Sequence, residues 1–156
     1  MKNELKKDFA LRISQANITG MIIISYEMID TYIEDAKDNF EDRAVCKSNI
    51  DLAGRCIDEM IANLHFEYEI AKDLKQLYVY MKKRLRDAYY DSDINALLEV
   101  KKLIGQLHDS YLKIKDEDNS ESIMQNTQVV TAGMTYGKNQ ILEEQTANIE
   151  NRGYRI

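Results

Sequence analysis

The chain has no proline and no tryptophan, and only six glycines, two cysteines and two histidines among its 156 residues. Missing prolines and scarce glycines exclude a turn-rich sandwich or barrel and favour long uninterrupted helices. The cysteines, Cys46 and Cys56, do not make a disulfide framework. Ten residues apart on one helix, they stand about 15 Å from each other, beyond the reach of a bridge. They read as small core or boundary residues of a reducing compartment. Long apolar runs are missing too. The most apolar stretch, Ile18 to Ile24, is too short to cross a bilayer, and the charged start MKNELKKDF is not followed by an apolar segment of signal-peptide length. The expected location is cytoplasmic, without stable membrane insertion.

A basic surplus is also lacking. The net charge of −6 argues against nucleic acid as a partner, because a phosphate backbone needs a basic face. The one basic patch, Lys82-Lys83-Arg84 with Arg86, reads as the wet side of a helix.

Catalytic constellations are missing in the same way. A di-iron bundle needs Glu-x-x-His pairs, but Ala62 precedes His65 by three positions and Gly105 precedes His108. No cysteine pair has zinc spacing, and no phosphate-binding glycine loop occurs, since Gly133 and Gly137 have no strand before them. Ser25, on the inner stripe of the second helix, has no histidine near it in sequence and reads as a buried hydroxyl. No enzyme activity, metal or cofactor is expected.

What is present is helical periodicity. In Glu69 to Tyr90, residues Ile70, Leu74, Leu77, Met81, Leu85 and Ala88 recur at steps of four, three, four, four and three. That places them on one stripe of a helix with a charged opposite face. Such a helix needs partners to bury its stripe. The pattern predicts a short helix over 2–14, carrying Leu5, Phe9, Leu11 and Ile13, and long helices over 18–39, 42–64 and 93–115. Asn17 is the expected cap of the second helix, and Asp91 or Ser92 that of the last. Expected inner positions include Ile18, Ile22, Ile29 and Ile33 on the second helix and Val45, Ala53, Ile57 and Met60 on the third. Gly54 inside the third helix implies either close helix approach or simple tolerance.

Short links bring successive helices back antiparallel. The expected fold is all-α: an antiparallel four-helix bundle with an additional short N-terminal helix, forming one domain over 1–115. Residues 116–156 read as an acidic tail, non-helical or loosely ordered. The tail holds seven acids against three bases, −4 of the total −6. Its apolar points are Val129, Val130, Met134, Tyr136, Ile141, Leu142 and Tyr154.

Two surpluses point to binding. There are ten tyrosines, a side chain whose apolar ring and polar tip suit intermittently covered surfaces. Met21, Ile24 and Met28 fall outside the stripe of the second helix, so something must cover them. The candidates are the N-terminal segment, the tail or a partner chain.

The central stretch EIAKDLKQLYVYMKKRL, Glu69 to Leu85, resembles the FliS family of flagellar secretion chaperones. Ile24-Ser25-Tyr26-Glu27 is similar to the family's apolar pair followed by Tyr and Asp. Leu98-Glu99-Val100 with Leu103, Ile104 and Leu107 resembles its last helix. The tail is similar to clostridial members in Ala-Gly-x-Thr-Tyr-Gly-Lys and Asn-Arg-Gly-Tyr. Departures are Ala16-Asn17-Ile18 where the family has Ser-Pro, Met28 for a glycine and Tyr111 for a tryptophan.

The resemblance implies a five-helix bundle without enzyme activity. It implies binding of the disordered C-terminal segment of flagellin, and delivery to an export-gate protein of the flagellar export apparatus. It also implies an N-terminal segment that can cover part of the binding surface when flagellin is absent. The expected partner-binding residues are Met21, Ile24, Tyr26, Met28, Leu77, Tyr78, Tyr80 and Met81. The alternative, from another class, is a bundle that self-associates as a homodimer through the same surface or serves another flagellar client.

Overall fold

The computed structural model describes residues 1–124. The part of the expected tail over 125–156, with all its apolar points, lies outside the described residues. Five helices follow in order: α1 (Asn3–Gln15), α2 (Ile18–Asp38), α3 (Arg43–Ala62), α4 (Glu69–Tyr90) and α5 (Ile94–Ile114), then a 3₁₀ turn, Lys115–Glu117.

Local sequence sets the boundaries. The Asn17 side chain accepts a hydrogen bond from the Gly20 amide at 2.8 Å, and Asp42 accepts from Val45 at 3.2 Å, so both are side-chain caps. The cap of α5 is Asp93, not Asp91 or Ser92: its carboxylate accepts from the Asn95 amide at 3.0 Å. Ser92 instead takes a left-handed conformation, φ 51°, and turns the chain between α4 and α5.

Helix α2 packs against α3 and α5, and α4 packs against the same two. The four therefore form a square in which α2 and α4 face each other across the diagonal. Links of a few residues alternate their directions. The interior is filled by Ile29 and Ile33 of α2, Cys46 and Ile57 of α3, Met81 and Leu85 of α4, and Leu97, Val100 and Ile104 of α5. Tyr26 and Tyr78 lie fully inside as well.

Three expected inner residues lie outside: Ile18 is 59%, Ile70 64% and Val45 38% exposed. Each sits in the first turn of its helix. In each case the next residue, Thr19, Ala71 or Cys46, takes the inner position. Tyr78, expected as a partner-binding residue, is buried in the interior, where its hydroxyl finds Tyr26. Gly54 is tolerated rather than required for close approach. A Cβ there meets no heavy atom within 4 Å, and the residue opens onto a groove between α3 and α4 lined by Asp58, Lys82 and Arg86. The basic patch of α4 is matched by acids: Lys82 pairs with Asp58, Lys83 with Asp87 and Arg84 with Glu99.

Candidate functional site: the α2 face beneath α1

Helix α1 lies outside the square, on the face of α2 turned away from the interior. Its apolar positions Leu5, Phe9 and Ile13 recur every four residues, with Met1 at the same spacing just before the helix, one stripe of a helix. Phe9 is the one fully buried residue of α1; it forms a second, smaller core with Ala16 and Ile24, ringed by Met1, Ile13, Met21 and Met28. The three surplus apolar residues of α2 are thus covered by the chain's own N-terminal helix.

A charged cluster flanks this core. The Arg12 guanidinium meets the Glu27 carboxylate at 2.6 Å and lies 5.6 Å from the centre of the Phe9 ring. The other Glu27 oxygen is 3.2 Å from His108 Nε2 on α5. Partial burial pushes the Glu27 carboxyl up, but the hydrogen bonds from Arg12 and His108 outweigh it and hold the group below its ordinary value. At the far end of α1 the Met1 amino group meets Asp35 at 2.7 Å. Beside Phe9 a hollow of about 360 Å³ remains, lined by Leu5, Glu27, Ile104, Gly105 and His108 among others.

The corner between α1 and α2 is clasped by the segment after α5. Asn17 Nδ2 donates to the carbonyls of Asp118 and Ser120, at 3.2 and 3.4 Å. The Thr19 amide, at the open N-terminus of α2, donates to the Asp118 carboxylate at 3.2 Å. The Ile123 amide donates to the Ala16 carbonyl at 3.0 Å, and the Ser122 hydroxyl to the Ser14 carbonyl at 3.4 Å. Hydrogen bonds from Ser120 and Thr19 hold the Asp118 carboxyl far below the usual carboxylate range.

The eight expected partner-binding residues do not form one surface. Met21, Ile24 and Met28 come together beneath α1. Tyr26, Tyr78 and Met81 are sealed in the four-helix interior, and Leu77 packs half-buried against it. Tyr80 is 41% exposed on the α4–α5 edge, donating to Glu99 at 2.5 Å. None of Phe9, Arg12, Glu27 and His108 is among the expected partner-binding residues. The four-residue spacing of Met1, Leu5, Phe9 and Ile13 was a readable signal. His108 meets Glu27 from 81 positions away, a contact no local pattern carries.

Among the described residues no three or more His, Cys, Asp or Glu are grouped to hold a metal ion, and no helix is long and apolar enough to cross a membrane. The molecule is a helical bundle that keeps one apolar helix face under a short helix of its own. The family model for flagellar protein FliS matches residues 1–118, and the chain belongs to that family, the flagellar export chaperones. Among curated proteins, none matches the chain.

Proposed function

We propose that the chain holds the C-terminal segment of flagellin in the channel that α1 covers, keeps it from polymerising early, and hands it to the flagellar export apparatus. The observation that carries this reading is the uneven burial of α1: one fully buried side chain, Phe9, shields three apolar residues of α2. Full burial of a phenylalanine contributes roughly 1.5–3 kcal/mol. A thirteen-residue helix is marginal on its own in water. The cover is therefore held by a modest free energy that a longer apolar segment exceeds. Membership of an export-chaperone family supports the same reading. An unfolded client gains helix structure by laying an apolar stripe into a preformed groove.

The test is titration calorimetry of the full chain with a synthetic peptide of the flagellin C-terminal segment. Binding at micromolar concentration, with loss of hydrogen-exchange protection in α1, is expected. No heat at these concentrations rejects flagellin as the client.

A further inference from the structure

We infer that Glu27 selects what enters the α1 channel: it admits an amphipathic helix that carries a lysine or arginine three residues after its central apolar anchor. The inference rests on the proposed function and specifies the chemistry of the client.

The occupant seen in the channel sets the rule. Its apolar residues recur every four positions, from Met1 to Ile13, and its buried anchor is Phe9. Three residues on, Arg12 projects from the neighbouring face of the next turn and meets Glu27 at 2.6 Å. The Glu27 side chain is 28% exposed, so its charge is partly withdrawn from water and depends on its partners.

The surrounding charges make Arg12 hard to replace from within the bundle. On α5, Lys101 is engaged by Asp30 at 2.7 Å and Glu34 at 3.2 Å. His108 already contacts the other Glu27 oxygen and has Asp109 at 3.8 Å on its far nitrogen. When α1 leaves, Glu27 loses its arginine and keeps His108 alone. An occupant that brings a cation restores a charge-assisted hydrogen bond; one that brings none leaves a partly buried carboxylate short of a partner. Size is less restrictive. The hollow of about 360 Å³ beside Phe9 opens at Gly105, where an added Cβ meets nothing within 4 Å. An anchor bulkier than Phe9 therefore fits.

Two substitutions in the full-length chain separate selection from mere anchoring of α1. Arg12→Glu and Glu27→Lys both break the ion pair and loosen α1, but only the second reverses the charge of the channel. Two sets of probes are used in calorimetry: the flagellin C-terminal peptide, and a peptide of residues 1–16 in its native form and with Arg12→Glu. The Arg12→Glu chain is expected to bind the flagellin peptide more tightly than the unsubstituted chain does. The Glu27→Lys chain is expected to bind it about tenfold or more weakly than the Arg12→Glu chain, the size of a lost charge-assisted contact. Of the two short peptides, the Arg12→Glu chain should prefer the native one and the Glu27→Lys chain the other. Equal gains in flagellin affinity for both chains, or a peptide preference that does not reverse, overturn the inference. Charge-sorted short peptides with no flagellin binding by any chain uphold the selection and reject flagellin as the client. Far-ultraviolet circular dichroism and exchange protection of α2–α5 verify that each variant is folded.

Discussion

The hydroxyls of Tyr26 and Tyr78 meet at 2.6 Å in the interior, joining α2 to α4 across the diagonal of the bundle. Among the described residues neither hydroxyl has another hydrogen-bond partner, so one proton lies between the rings and the second has no acceptor. The Tyr111 ring packs 5.7 Å from Tyr26 and closes the site. Two tyrosines thus occupy a place that two phenylalanines of the same shape could fill.

Replacing one partner leaves the other hydroxyl buried and unpaired. Tyr78→Phe or Tyr26→Phe alone is expected to cost about 1–3 kcal/mol. The double substitution should cost less than the sum of the two, because no polar atom is then stranded. Urea unfolding of the four chains in a double-mutant cycle measures this; additive losses would reject the pairing.

The same pair predicts weakness in alkali. Burial is the main cause that pushes Tyr78 up to about 12 and raises Tyr26 further. A raised folded-state pKa stabilises the protonated form. The contribution is complete below the ordinary tyrosine value of about 10 and is lost as pH climbs through the folded values. Midpoints of urea unfolding should fall steeply above pH 10 in the unsubstituted chain and less steeply in the double phenylalanine variant.

Phe9 is the test of the cover. Phe9→Ala should release α1 while leaving α2–α5 folded, since Phe9 belongs to the smaller core and not to the four-helix interior. Loss of amide protection confined to residues 3–15, with tighter binding of the flagellin peptide, is the expected result. Cooperative loss of protection through the whole bundle contradicts it.

Acid should open the corner between α1 and α2. Hydrogen bonds from Ser120 and Thr19 depress the Asp118 carboxyl. Its stabilising contribution is present above the unfolded aspartate value of about 3.9 and disappears as pH falls towards the lower folded value. Asp118→Asn should flatten the acid limb of the stability curve, as read from melting temperatures against pH.

Gly54 offers a stabilised variant. It lies mid-helix on an open groove with space for a Cβ. Gly54→Ala should raise stability by about 1 kcal/mol, measured as a shift of the urea midpoint at constant slope.

The helices were legible in the sequence because each carries its own periodicity and end signals. The stripe from Leu74 to Ala88 and the Asn17 cap appear as read. Individual first-turn residues were less legible. Ile18, Val45 and Ile70 are more apolar than the Thr19, Cys46 and Ala71 that replace them inside, and hydrophobicity alone favours the wrong neighbour by one position. Met21, Ile24 and Met28 were recognisable as a surplus, and α1 is what lies over them. Tyr78 and Met81 drew attention as motif residues, but their motif is core packing against Tyr26 and its neighbours. Glu27 and His108 gave no local sign, since their pairing depends on the antiparallel register of α2 and α5.

The contacts between residues 14–19 and 118–123 bring the two ends of the α2–α5 body to one point. In topological terms that body is a ring fastened at a single knot. The flap formed by α1 sets out from this knot, so the residues that close the ring also fix where the flap is hinged.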